Sequence, residues 1–221
     1  MTILKNIFPT FAIEKKYENL CVVGIDEAGR GPLCGPVVSA CAFLEKKFLQ
    51  HKICNKINDS KKISKKNRLE IFAFLRNNIK YGIGVVDEKI IDEINILQAT
   101  KLAMKRSYED FVFKNKISAN VILVDGNCKP FDDKKIEILP IIKGDQKSLS
   151  IAAASILAKE FRDEIMCNLH QKYPHFSWDK NAGYPTKFHI DKIKEFGICE
   201  FHRKTFEPIK SGNYPLTLVR G

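Results

Sequence analysis

The stretch from Leu20 to Val38, LCVVGIDEAGRGPLCGPVV, restricts the fold more than any other part of the chain. Cys21, Val22, Val23 and Ile25 are β-branched or compact and bounded by turn formers, so they predict a central strand rather than a helix. Asp26 and Glu27 stand at its carboxyl end. Burying an unpaired carboxylate is unfavourable, and such a group tends to neutralise instead. Adjacent residues of a regular strand point to opposite faces. A site shared by both acids therefore requires the chain to leave the pleat near Glu27, a turn that Ala28, Gly29, Arg30, Gly31 and Pro32 permit. Two readings stay open at this point. One is a solvated strand end in which Glu27 pairs with Arg30; the other is a metal or phosphate site, since site residues concentrate on loops at strand ends.

The rest of the chain supplies a sheet around this strand. Val37 to Leu44 is a second apolar run, close enough through the GRGPLCGP turn to pair antiparallel with the first. Ser64 is placed to cap a helix carrying Leu69, Phe72, Phe74 and Leu75 up to Asn78, and Tyr81 to Val86 reads as a third strand. Asp87 to Asn95 is mixed, whereas Leu97 to Phe113 sets Leu102, Met104, Tyr108, Phe111 and Val112 at helical spacing. Val121 to Val124 is a fourth strand, ending in Asp125, Gly126 and Asn127. Ile136 to Ile142 is a fifth, assigned to an edge because Pro140 cannot donate to a ladder. Ser148 to His170 predicts a long helix whose first half, SIAAASILA, is small enough to lie close against a sheet. Phe176 to Gly183 reads as an aromatic loop, and Thr186 opens a short helix to Phe196. With no repeats or low-complexity linkers, the pattern gives one domain over residues 20–210, an arm over 1–19 and a tail over 211–221.

A formal net charge of +11 points to a polyanionic partner, nucleic acid first and an acidic membrane surface second. The amino-terminal MTILKNIFPTFAIEKK is interrupted by Lys5, Asn6 and Pro9, so it lacks the core of a signal peptide. No apolar run approaches membrane-spanning length, and no membrane association is expected. The seven cysteines are scattered and odd in number. They read as small core residues in a reducing compartment, which gives a cytoplasmic location. Cys199 and His202 form an isolated CxxH without the second pair that a zinc site needs.

Asp125 repeats the logic of the first strand: apolar run, acid, glycine. Adjacent parallel strands would bring it to the same sheet edge as Asp26 and Glu27. Asp163, late on the long helix, has a plain alternative as the ion-pair partner of Lys159 four residues earlier. Carboxylates about 4 Å apart repel by roughly 4 kcal/mol a pair at an effective dielectric near 20, so a converging set needs cations. Oxygen-only ligation selects Mg²⁺ or Mn²⁺ over zinc. Two such ions about 3.5 to 4 Å apart could clamp a phosphodiester. Acids of this kind on a basic protein are the chemistry of a metal-dependent nuclease.

Several longer motifs accompany these acids: GIDEAGRGPLCGPVV at Gly24 to Val38, NDSKKIS at Asn58 to Ser64, LVDGN at Leu123 to Asn127, IIKGDQKSLSIAAASILAKEFRD at Ile141 to Asp163, AGYPTKFH at Ala182 to His189 and HRKTFEPI at His202 to Ile209. In order and spacing they resemble the ribonuclease HII family from about Leu20 to Pro208. The resemblance implies an α/β, ribonuclease H-like fold: a five-stranded mixed sheet flanked by helices, with a C-terminal helical extension. It implies that Asp26, Glu27, Asp125 and Asp163 are the metal-binding carboxylates. It also implies that the backbone of Gly29, Arg30 and Gly31 contacts the ribonucleotide 2′-hydroxyl, the group that separates RNA from DNA. Tyr184 matches the tyrosine that packs on the neighbouring sugar, giving a preference for an RNA-to-DNA junction. Lys143, Lys61 and Lys62 are candidate phosphate contacts. His202 and Arg203 fit the family pattern without an assignable role. Glu160 and Phe161 depart from it, where smaller residues are common.

The expected activity is an endonuclease acting on the RNA strand of RNA–DNA hybrids and on the 5′ side of ribonucleotides embedded in duplex DNA, as a monomer. Attack by water leaves a 3′-hydroxyl and a 5′-phosphate, whereas attack by the 2′-hydroxyl would leave a cyclic phosphate. Two rivals are weighed. A ribonuclease HIII type carries an extra N-terminal domain for which nineteen residues are too few. A noncatalytic nucleic-acid binder would have no need to tolerate four mutually repelling acids.

Overall fold

The computed structural model describes residues 8–60 and 63–216. Five apolar segments form β1 (Val22–Ala28), β2 (Val37–Phe43), β3 (Lys80–Val86), β4 (Val121–Asp125) and β5 (Glu137–Ile141), in the sheet order β3-β2-β1-β4-β5. β1, β2 and β3 pair antiparallel, while β4 runs parallel to β1 and β5 parallel to β4. β1 is thus the central strand, and β5, carrying Pro140, lies at an edge, as a residue without an N–H requires.

Both faces of the sheet are covered. Val23, Ile25 and Cys41 pack on Met104, Tyr108 and Phe111 of α2 (Glu88–Asn115). Ala40 and Ala42 pack on the other side against α1 (Lys65–Asn78) and α3 (Leu149–Lys172). The small-residue half of α3 has the role its composition predicts. A β-carbon at Gly24 would lie 2.2 Å from the backbone carbon of Ser150, so only glycine lets α3 come this close to β1. Ser64, Ser148 and Thr186 cap α1, α3 and α5 (Lys187–Phe196), each accepting from a backbone N–H three residues on. No helix of the described residues is long and apolar enough to cross a membrane.

Three expectations need correction. The mixed segment after Asp87 is helical: Asp87 Oδ1 accepts from Ile90 N–H at 2.9 Å and starts α2. The helix breaks at Asn95, with φ 66°, whose own Oδ1 then caps Leu97 and Gln98. The aromatic loop after Phe176 contains a short helix, α4 (Trp178–Asn181). The chain also does not leave the pleat at Glu27. Asp26, Glu27 and Ala28 remain paired with Ala40, Ser39 and Val38.

Candidate active site

A cleft of about 690 Å³ opens beyond the carboxyl ends of β1 and β4. Parallel pairing runs from Val22 opposite Val121 to Ile25 opposite Val124; one step further along each strand stand Asp26 and Asp125. Both line the cleft together with Glu27. Strand alternation does not separate the two neighbours, because the Asp26 carboxylate folds back at the strand end to accept the Glu27 N–H at 2.7 Å. Glu27 also meets Arg30 at 3.5 Å, so the ion pair of the plain reading exists alongside the acid cluster. Asp125 is aimed by the N–H of Gly144, which donates to its Oδ1 at 2.6 Å.

The electrostatics mark this cluster. Asp26 is 5% exposed. Burial, then the charges of Glu27 and Asp125, hold its carboxyl well above the usual carboxylate range, against the opposing pull of hydrogen bonds from Ser155 and the Glu27 amide. An all-oxygen donor set suits a hard divalent cation. Among the described residues no group of three or more His, Cys, Asp and Glu side chains closes on one ion position. Asp163, the fourth acid, is not among the residues that line the cleft. Lys159 holds both its oxygens, at 2.5 and 2.6 Å, and Arg68 lies 3.9 Å away. Lys159, rather than Asp163, lines the cleft. Glu160, one of the departures from the family pattern, is buried against Arg68, and Phe161 packs edge-on against Phe72 at 5.3 Å.

Gly29, Arg30, Gly31 and Tyr184 line the same cleft. Gly29 takes φ +96°, and a β-carbon there would lie 2.1 Å from Arg162 Nε. The Tyr184 ring approaches position 31 to 3.6 Å from where a β-carbon would sit. The ribonuclease HII family model matches residues 23–209, and the Ribonuclease HII of Wolbachia sp. subsp. Brugia malayi is 44% identical over 202 residues, covering 91% of this chain and 95% of its own. The chain belongs to the ribonuclease HII family. The ribonuclease H2 from Pyrococcus horikoshii OT3 has a similar fold, with TM-score 0.65 and 28% identity, over 86% of this chain and 95% of that one. Bst-RNase HIII in complex with Mn²⁺ matches with TM-score 0.68 over 86% of this chain and 68% of that one, and at 20% identity it speaks to the fold alone.

As a ribonuclease HII, the protein is an endoribonuclease of the ribonuclease H type that cleaves RNA in RNA–DNA hybrids, and its family is metal dependent. Of its sequence-predicted site residues, Asp26, Glu27, Asp125, Gly29, Arg30, Gly31 and Tyr184 share the cleft. Lys143 is exposed in a left-handed conformation, φ 54°, beside it. Lys61 and Lys62 lie outside the described residues. Sequence reasoning missed Ser60, Ser155 and Asp145, all of which line the cleft. A signal for Ser155 was available: it shares one face of α3 with Lys159 and Asp163 at four-residue spacing. The CxxH pair is a turn, in which the Cys199 N–H donates to His202 Nδ1 at 3.0 Å. Burial pushes the Cys199 thiol up to about 12.

Proposed function

We propose that this ribonuclease HII hydrolyses the phosphodiester on the 5′ side of a ribonucleotide, within RNA–DNA hybrids and at single ribonucleotides in duplex DNA, leaving 3′-hydroxyl and 5′-phosphate ends. The supporting observation is that Asp26, Glu27 and Asp125 share one cleft with the Gly29–Gly31 backbone and the Tyr184 ring. Asp26, Glu27, Asp125 and Asp163 are the residues to hold Mg²⁺ or Mn²⁺. Such ions activate water and stabilise the leaving oxygen.

The chain's own residues do the rest. The Gly29–Gly31 backbone brings its N–H donors to the ribose 2′-hydroxyl, an approach that a side chain on the glycines would block. Tyr184, 42% exposed, offers its ring to the adjacent sugar. Lys143, Lys61 and Lys62 neutralise phosphates. Ser155 and Gly144 aim Asp26 and Asp125. The catalytic unit covers residues 20–210. A cytoplasmic monomer goes with this reading, and unpaired cysteines suit a reducing compartment.

The test is a labelled duplex with one embedded ribonucleotide, incubated with Mg²⁺, with Mn²⁺ and with chelator, mapping the cut and its ends. A metal-dependent cut 5′ to the ribonucleotide is expected. Cyclic-phosphate ends, or cleavage that persists in chelator, would overturn the proposal.

A further inference from the structure

Two arginines are buried at the back of the cleft wall. Arg203 is 0% and Arg162 1% exposed. Burying a guanidinium is unfavourable unless its fork of donors is fully used. Arg203 uses it on backbone alone, donating to the carbonyls of Gly29 at 2.7 Å, Arg30 at 3.0 Å, Pro32 at 2.8 Å and Gly35 at 2.8 and 2.9 Å. Each peptide is planar and trans. Turning the Gly29 and Arg30 carbonyls onto Arg203 therefore turns the N–H groups of Arg30 and Gly31 the opposite way, on the side where these residues line the cleft.

The preceding residue reaches the other loop. Because Cys199 N–H donates to His202 Nδ1, the proton of this imidazole sits on Nε2, which faces His189 Nε2 at 3.3 Å. His189 Nε2 also receives the Trp178 indole N–H at 3.1 Å. Its own proton is then on Nδ1, donating to the Tyr184 carbonyl at 2.9 Å. The two loops are tied to each other as well: Leu33 N–H donates to Gly183 O at 2.8 Å, Arg203 N–H to Leu33 O at 2.8 Å, and Arg162 Nη1 to Ala182 O at 2.9 Å.

We infer that His202 and Arg203 are positioning residues that hold the Gly29–Gly31 backbone and Tyr184 at one fixed spacing, and so set the preference for a ribonucleotide-to-DNA junction over continuous RNA. This deepens the proposed function and rests on its assignment of those two loops. A junction has to be met by both loops at once. Continuous RNA offers a 2′-hydroxyl in every register and tolerates a looser spacing.

The experiment compares the parent with Arg203→Lys and His189→Phe, one at each end of the clamp. It measures kcat/KM on a duplex with one embedded ribonucleotide and on a continuous RNA–DNA hybrid, and amide hydrogen exchange at Leu33 and Gly35. A merely structural role lowers both activities in proportion to the folded fraction and leaves their ratio alone. The clamp predicts that the junction-to-hybrid ratio falls at least about tenfold in both variants, the scale of a small misplacement of reacting groups, with faster exchange in Arg203→Lys. An unchanged ratio, or unchanged exchange in Arg203→Lys, overturns it. Absence of a junction cut in the parent overturns the functional reading instead, and the exchange data then still report whether Arg203 holds the loop.

Discussion

Gly29 and Gly31 line the same cleft two residues apart, yet an added methyl group meets different surroundings at each. At Gly29 the β-carbon would fall 2.1 Å from Arg162 Nε, 2.5 Å from its Cδ and 2.8 Å from the Pro36 carbonyl oxygen, on a backbone with φ +96°. A side chain in the left-handed region costs about 1–2 kcal/mol. Arg162 cannot swing aside freely, since its guanidinium donates to the carbonyls of Pro36, Ala182 and Cys34, and such overpacking adds about 1–3 kcal/mol. Gly29→Ala should therefore lose about 2–5 kcal/mol, out of about 5–15 kcal/mol for a whole domain. For a chain of this length that lowers the melting temperature by roughly 5–20 °C. At Gly31 the nearest atom is Tyr184 Cε1 at 3.6 Å, an ordinary contact, so Gly31→Ala should stay within about 1 kcal/mol of the parent. Under the proposed function its new methyl group intrudes on the approach of the ribose. Urea midpoints and thermal melts, paired with cleavage of the single-ribonucleotide duplex, separate the two effects. Equal melting of both variants, or parent-like cleavage by Gly31→Ala, would refute the reasoning.

Other outcomes follow from the same geometry. Asp26→Asn should reduce turnover by about a thousandfold, the loss of several kcal/mol of metal-assisted stabilisation, while duplex affinity in a gel-shift assay stays close to the parent because phosphate contacts dominate binding; joint loss of binding and turnover would show a folding role. Glu14 is buried, and its Oε1 accepts from Ser148 Oγ at 2.6 Å and Ser150 N–H at 3.0 Å. Glu14→Ala should cost about 1–3 kcal/mol in urea unfolding, and Glu14→Gln, which keeps an acceptor oxygen, less. Burial, with His189 alongside, pushes His202 down to about 3 from 6.5. The unfolded chain then takes up a proton that the folded one refuses, so stability is whole above pH 6.5 and falls by up to about 1.4 kcal/mol per pH unit toward about pH 3. Unfolding midpoints at pH 7.5 and 5 should differ more in the parent than in His202→Gln, and parallel losses would contradict a buried neutral imidazole.

Strands were legible wherever burial on both faces imposed a continuous apolar run, as in β1, β2 and β4. Caps were legible at Ser64 and Thr186, which act over three residues. What escaped the sequence depended on contacts far along the chain. Glu14 looked like part of an inert arm because its partners, Ser148 and Ser150, lie on α3. The strand was expected to end at Glu27 because alternation alone separates neighbouring side chains; the bond from the Glu27 amide back to the Asp26 carboxylate is a tertiary detail of a strand end. Asp87 to Asn95 hid a helix because a polar first turn capped by Asp87 and a left-handed Asn95 disrupt the apolar period. Asp26, Glu27 and Asp125 announced themselves as acids after apolar strands. Asp163 had two readings, and its ion pair with Lys159 shows why a helix acid needs tertiary context.

The clamp around Arg203 also bears on how the chain is made. A ribosome releases β1, β2 and β3 first, and these antiparallel neighbours can pair while later segments are still inside the exit tunnel. The Gly29–Gly35 loop thus emerges well before the guanidinium that gathers its carbonyls, which follows Gly35 by 168 residues. Asp125 reaches the edge beside Asp26 only when β4 inserts next to β1. A nascent or prematurely terminated chain that lacks Arg203 therefore carries a sheet and part of its acids while the Gly29–Gly35 carbonyls are without their guanidinium partner. The ordering of this loop therefore waits for Arg203, whereas the antiparallel strands can pair before it emerges.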